Sequence, residues 1–425
     1  MSKIITIIRF MLLKIYFYFI KLYVNKIKNN NFEYKILYQN GKLKISIIKT
    51  PHGIINTPAF IFCATKASMK STTIENMERN KTQIILSNTY HLALKGHQEI
   101  KSIGGLHQAL RWNKPMLTDS GGYQIFAMKH LGVSNDINND IKGKRNLKWQ
   151  PSLISIDENK AVFENYYDKS KFELTPEKSI QIQKDLGADL VVVLDECTSC
   201  KDDYNYTKMS LERSHNWEIK SLKEFKRIND GKQALYGIVQ GGIYKDLRKE
   251  SCEFVNNNDF FGVCIGGCLG NNTNEMHEIV NYTMSNLRND RPVHLLGIGY
   301  LRDIFNGVRN GIDTFDCVHP SRVSRRGMAY IPAYLQKTER EIKTNLLNIN
   351  NIKNHKGLID NNCGCTTCKR GYDRRYLNLL IKENELMVYN LITDHNIYFF
   401  NKLFEDIRNG IINNNLDEIE AYYIK

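Results

Sequence analysis

An apolar run closes on Asp316, and Arg322, Arg325 and Arg326 follow within the stretch GIDTFDCVHPSRVSRRG, residues 311–327. A carboxylate beside clustered guanidinium groups suits an anionic polymer, because arginine holds phosphate through two parallel hydrogen bonds while the acid stays free for chemistry. The plain alternative is a strand with a basic loop. Other runs end on similar groups: Asp119 with Ser120, Gly121 and Gly122; Asp195 with Glu196; Gln240 with Gly241 and Gly242; Gly266 with Gly267; and Gly297. One aspartate at a strand end is commonly a helix cap. Three of them predict more, since glycines admit a flat ligand and an amide can both donate and accept, as a purine-like base requires. Paired carboxylates also fit glycosidic bond chemistry, in which one acid attacks the anomeric carbon and another manages the leaving group's proton. Cys363, Cys365 and Cys368 put three thiolates on one tight loop, one ligand short of a tetrahedral Zn²⁺ site.

Positioning these groups requires a repeated element. Eight apolar runs (TPAFIFCAT, QIILSNTYH, PMLTDSGG, LVVVLDE, ALYGIVQGG, GVCIGG, PVHLLGIG and GIDTFD) each end in glycine or a polar residue, most of them separated by helix-length segments. That alternation predicts an α/β fold, a (β/α)8 TIM barrel, with the acids at the C-terminal strand ends where barrels carry their chemistry. The alternating pattern from Phe32, broken by Asn40-Gly41, predicts a hairpin ahead of the barrel. The expected divisions are an extension over 1–31, a barrel over 32–339 with a polar, partly disordered insertion at 131–160, and a zinc-binding helical subdomain over 340–425 that begins with an Asn- and Lys-rich linker.

The chain has 425 residues and a formal net charge of +14, which favours an anionic partner such as nucleic acid. Much of the excess is Lys scattered among Asn and Ile, so the arginine cluster carries more weight than the total. Cysteines lying on apolar runs point to a reduced, intracellular setting. Residues 1–30 contain no acid. Arg9, Lys14 and Lys21 make a clean membrane span costly, whereas Lys14, Lys21 and Lys28 recur on one helical face, as in a basic amphipathic segment. Cytoplasmic residence is expected, with mitochondrial or other organelle targeting or peripheral membrane association through this segment as the alternative.

Taken together, TDSGGYQ (118–124), LDEC (194–197), GIVQGG (237–242), IGG (265–267), GIDTFDCVHPSR (311–322) and the C-x-C-x-x-C with a distant His-Asn pair closely resemble the tRNA-guanine transglycosylases, or queuine tRNA-ribosyltransferases, over roughly residues 35–420. The resemblance implies that Asp316 is the nucleophile, forming an ester with the target ribose as guanine leaves, and that Asp119 is the general acid/base. It further implies that Ser120, Gly121, Asp195, Gln240, Gly266, Gly267 and Gly270 line the base pocket and that His395 completes a structural Zn²⁺ site with Cys363, Cys365 and Cys368. Arg322, Arg325 and Arg326 would grip the tRNA anticodon loop, with Lys369, Arg370, Arg374 and Arg375 as a second basic group. The implied reaction replaces guanine 34 of GUN-anticodon tRNAs with queuine or a related 7-deazaguanine, by a homodimer or a heterodimer with a paralogous subunit.

Several positions depart from the bacterial pattern. GGCLGNN at 266–272 puts Cys268 where those members have leucine, Gly270 where they have valine and Asn272 where they have glutamate, while Cys197 is bacterial-like. A small residue at 270 and an uncharged one at 272 favour queuine and a eukaryotic-type catalytic subunit. The rival readings are a non-catalytic tRNA-binding partner subunit and a zinc-dependent RNA-binding module with a vestigial barrel; the joint presence of Asp119, Asp195 and Asp316 speaks against both.

Overall fold

The computed structural model describes residues 31–129, 152–267, 270–338, 345–351 and 356–425. The N-terminal amphipathic segment and Cys268 lie outside them. Among the described residues no helix is long and apolar enough to cross a membrane.

All eight apolar runs are strands of one closed parallel barrel: β4 (Ala59–Cys63), β5 (Ile85–Ser87), β6 (Met116–Thr118), β10 (Leu190–Val192), β11 (Ala234–Val239), β12 (Gly262–Ile265), β13 (Val293–Leu295) and β14 (Thr314–Cys317), with β14 closing on β4. Helices cover their outer faces and side chains fill the interior, so a strand such as β11 is buried at every residue and reads as an unbroken apolar run. Local chemistry fixes the helix ends. In Pro176–Leu186, Thr175 accepts from the Lys178 N–H, proline occupies the first turn and Gly187 leaves at φ +72°, the left-handed exit that glycine makes without strain.

A hairpin does precede the barrel: β1 (Glu33–Asn40) pairs with β2 (Leu43–Thr50) across Asn40-Gly41, and β3 (Gly53–Thr57) completes the sheet. Two buried aspartates fasten this sheet to the N-terminal strand ends. Asp313 receives Lys44 Nζ at 2.9 Å, Ser46 Oγ at 2.5 Å, Thr57 Oγ1 at 3.1 Å, Tyr34 OH at 3.1 Å and the Val293 N–H at 2.9 Å. Asp189 faces His52 Nδ1 at 2.7 Å and accepts the Met116 N–H at 2.8 Å, with His107 stacked on His52. The buried charges here serve stability, because the N-terminal end of a barrel carries no substrate.

The insertion expected over 131–160 falls largely outside the described residues. Its end is ordered: Leu153–Ile156 is β7, which with β8 (Ala161–Glu164) and β9 (Lys171–Leu174) forms a three-stranded antiparallel sheet. The expected linker after 340 likewise contains β16 (Leu346–Asn348), paired with β15 (Met328–Tyr330). The C-terminal helices Arg374–Lys382, Met387–Asn413 and Leu416–Tyr423 form as their spacing predicts. They are not a separate body, however. Phe400 and Phe404 of the long helix pack on Phe60 of β4, with ring centroids at 4.6 and 5.9 Å, and Phe404 meets Phe315 of β14 at 5.7 Å. The long helix therefore covers the seam where the barrel closes, and its apolar face shares the barrel's core.

Candidate active site

Asp316, Asp119 and Asp195 converge at the C-terminal mouth, as the barrel predicts. Asp316 is the third residue of β14 and is 8% exposed. Its Oδ1 accepts the Gly297 N–H at 2.8 Å, a bond aimed by the φ of +72° at that glycine. His294 Nε2 lies 3.2 Å from the same oxygen but off the line of a good hydrogen bond, while its Nδ1 sits 2.9 Å from Thr314 Oγ1. Among the described residues, the partner of Oδ2 is the Cys63 thiol, 3.6 Å away. Burial and the neighbouring carboxylate push the Cys63 thiol well up, so it stays protonated and acts as a weak donor. One oxygen is thus held and the other is nearly unencumbered, which is the arrangement a carboxylate nucleophile needs.

Asp119 follows β6. Its carboxylate accepts the Thr89 N–H at 2.8 Å and the Asn88 side-chain amide, both from the turn after β5. Burial raises its pKa to about 7; the Thr89 N–H works against that shift, and the charge on Asp316 adds to it. A carboxyl that gains and loses its proton near neutrality is poised for general acid/base work.

Asp195 forms the pocket wall. It accepts Gln240 Nε2 at 2.6 Å and Ser120 Oγ at 3.4 Å. The glycines are dictated by these side chains: a Cβ on Gly122 would stand 2.0 Å from Asp195 Oδ1, one on Gly266 2.6 Å from Gln240 Nε2, and one on Gly267 2.5 Å from Gln240 Oε1. Gly121, at φ +91°, passes under Leu174 and Tyr90. Gln240 Oε1 is buried with no hydrogen-bond partner among the described residues, and the Gly267 carbonyl is held by Arg248 Nη2 at 2.8 Å. A carboxylate, an orphaned amide oxygen and an anchored backbone form a wall rich in acceptors, matching a heterocycle that presents N–H groups.

Gly270 requires a correction. Its φ is +50° and its absent Cβ points at the Met276 N and Asn272 O, so it shapes the start of the helix Thr273–Asn286 rather than opening pocket space. Asn272 caps that helix, accepting the Glu275 N–H at 3.0 Å. The arginines sit on the short helix His319–Ser324 and just past it: Arg322 and Arg325 are half-buried, Arg326 is exposed, and Arg325 Nη1 donates to the Ser321 carbonyl at 2.7 Å. In the second basic group, Lys369, Arg370 and Arg375 are exposed, Arg375 being engaged by Asp373 through two contacts of 2.9 and 3.0 Å, and Arg374 is buried.

The four sulfur and nitrogen ligands also come together. His395 Nδ1 lies 3.5 Å from each of Cys363, Cys365 and Cys368 Sγ. That is the edge of a tetrahedron with Zn–S about 2.3 Å and Zn–N about 2.0 Å, so the donor set fits zinc. His395 Nε2 faces the Tyr330 carbonyl at 2.8 Å, the backbone partner that orients a ligating imidazole. No cysteine among the described residues forms a disulfide. The adjacent Asn396 ties the long helix to the arginine loop, accepting the Tyr330 N–H at 2.8 Å and donating to Ser324 Oγ at 2.9 Å and the Pro320 carbonyl at 3.2 Å.

Fold and site together define a (β/α)8-barrel enzyme whose mouth gathers Asp316, Asp119 and Asp195 with an acceptor-rich wall at Asp195 and Gln240. The family model described as queuine tRNA-ribosyltransferase matches residues 40–425, and the chain belongs to that family. It is 38% identical over 396 residues to the queuine tRNA-ribosyltransferase of Roseiflexus sp., covering 91% of this chain and 96% of the relative. The protein of that name from Caldanaerobacter subterraneus subsp. tengcongensis is 38% identical over 397 residues, covering 92% and 97%. A relative from Archaeoglobus fulgidus is 36% identical over 406 residues. These relatives are bacterial and archaeal, so they lend no support to a eukaryotic type.

Asn88, Arg248, His294 and the contact of Cys63 with Asp316 escaped the sequence reading, and Asn396 entered it only as the neighbour of His395 in the His-Asn pair. A histidine inside the apolar run of β13 was a usable signal, since an inward polar residue in a barrel needs a reason. Arg248 gave none, being one basic residue on an amphipathic helix. The buried acids carry a measurable stability cost. Asp195 rises from 3.8 to about 6, chiefly through burial, so the folded state binds its proton more tightly than the unfolded chain. Its contribution is fully present below pH 4 and is lost as pH rises through 6, roughly 3 kcal/mol at about 1.4 kcal/mol per unit. Asp195→Asn should therefore melt increasingly above the parent protein from about pH 4 to about pH 6 and by a constant margin beyond; parallel melting curves across that window would refute this.

Proposed function

We propose that the chain exchanges guanine 34 of GUN-anticodon tRNAs for queuine. Asp316 Oδ2 attacks C1′ of the ribose, the C1′–N9 bond breaks with its electron pair going to guanine, and Asp119 supplies the proton the leaving base takes. The 7-deazaguanine then enters, its N9 displaces the Asp316 carboxylate from C1′, and Asp119 receives the N9 proton. Asp195, Gln240 and the Gly267 backbone hold each base in turn, and Arg322, Arg325 and Arg326 hold phosphates of the anticodon loop, fixing register without reading sequence. Zinc bound by Cys363, Cys365, Cys368 and His395 would be structural, because four protein ligands leave no position for water or substrate. The observation that carries this reading is the split environment of Asp316, with Oδ1 held by the Gly297 N–H and Oδ2 met only by the weak Cys63 donor among the described residues. A non-catalytic subunit has no use for that arrangement.

Preference for queuine rests on Asn272, which offers no charge to an aminomethyl ammonium and whose amide oxygen is already engaged as a cap. Incubation of the purified chain with labelled guanine and unmodified tRNA tests the reaction, and competition by queuine and by the aminomethyl precursor tests the base. Absence of label in tRNA rejects the first, and stronger inhibition by the precursor rejects the second.

A further inference from the structure

Beside the acid/base lies a surface that the proposed reaction does not use. The turn between β8 and β9 exposes Tyr166 and Tyr167, 38% and 44% accessible, with ring centroids 4.4 Å apart. Their hydroxyls are pinned, and each ring stays partly exposed. Tyr166 OH meets His91 Nδ1 at 3.1 Å, and His91 stands two residues from Thr89, which binds Asp119. Lys66 Nζ donates to Tyr167 OH at 3.0 Å and lies 5.5 and 5.4 Å from the two ring centroids; Lys95 Nζ lies 4.9 Å from that of Tyr167. Among the described residues no carboxylate pairs with Lys66, Lys70 or Lys95. The cations also form a continuous field, since Arg325, Lys66 and Arg322 all add to the depression of the Lys70 ammonium that partial burial begins. The field runs from the tyrosines along the rim of the mouth to the arginine loop.

Resting on the base-exchange reading, we propose that Tyr166 and Tyr167, with Lys66 and Lys95, form a base-stacking subsite for unpaired nucleotides of the substrate RNA. Every base has a π-face, so an ordered aromatic pair captures single-stranded RNA with little sequence preference, and the lysines take the adjoining phosphates. A duplex, whose faces are already stacked, gains nothing from such a site.

The test uses the full chain and an unmodified tRNA transcript. Tyr166→Ala/Tyr167→Ala should raise KM for tRNA about tenfold or more while leaving kcat at saturating tRNA and KM for guanine within about twofold. Tyr166→Phe/Tyr167→Phe, which keeps the rings and loses the hydroxyls, should match the parent protein, and Lys66→Gln should lower the slope of log affinity against log salt by about one. An unchanged KM in the alanine pair, or a phenylalanine pair as impaired as the alanine pair, overturns the proposal. Should the alanine pair melt early, Tyr167→Ala, whose ring makes no bond to His91, carries the same test. Lack of any exchange by the parent chain would reject the base-exchange reading instead, and the anisotropy of labelled tRNA with parent and variants would still judge the subsite.

Discussion

Asp316→Asn should fold, hold tRNA and exchange no base. An amide can still accept the Gly297 N–H at Oδ1, so the strand end and the mouth keep their shape. It cannot form the ester, because its nitrogen lone pair is delocalised and no second anionic oxygen remains to attack C1′. Loss of a covalent nucleophile costs roughly 10⁴- to 10⁶-fold in turnover, and what remains comes from binding and orientation alone. The denaturant-resistant RNA adduct should disappear with the activity. A second consequence follows from the electrostatics: the charge on Asp316 helps hold the Asp119 carboxyl up at about 7, so Asp119 in the variant should titrate lower. An Asn variant that still exchanges guanine and still traps RNA would displace Asp316 as the nucleophile, with Asp119 the next carboxylate within reach.

Cys365→Ala should lose its metal and, with it, more than a peripheral loop. Structural zinc contributes roughly 10 to 16 kcal/mol in small peptides, comparable to or larger than the 5 to 15 kcal/mol that separates a folded domain from its unfolded chain. Here the ligand His395 lies on the helix that carries Phe400 and Phe404 into the barrel seam, and Asn396 beside it holds the arginine loop. Metal loss should therefore lower the melting temperature of the whole molecule in one transition and weaken tRNA binding. The chemical step should survive in whatever fraction remains folded. Metal content by elemental analysis, melting and single-turnover exchange together check this. Cys365→Ala protein with full metal content and unchanged melting would refute the site.

Much of this molecule was legible in one dimension. All eight barrel strands could be read because a parallel strand covered on both faces is apolar along most of its length, and its C-terminal end is marked by the polar group it delivers to the mouth. The metal loop could be read because three of its ligands lie within six residues of one another in sequence and need no fold to be neighbours. Spacing could not say which aspartate does what. Asp313 precedes β14 and Asp316 is its third residue, yet one binds the N-terminal sheet as a structural anion and the other faces the mouth, a division set by which end of the closed barrel each reaches. Nor could it show the surroundings of Asp316. Cys63 is 253 positions away and meets it only because β14 closes on β4. Gly270 read as an empty place in the pocket, but a missing side chain has a direction, and the left-handed backbone aims it at a helix end. The sequence by itself determined the strands, their chemical ends and the metal loop, all of which rest on local patterning. Tertiary structure decided which oxygen is free, which carboxyl is pushed toward neutrality and which residues buttress them, because those properties depend on burial and on neighbours that only barrel closure brings together.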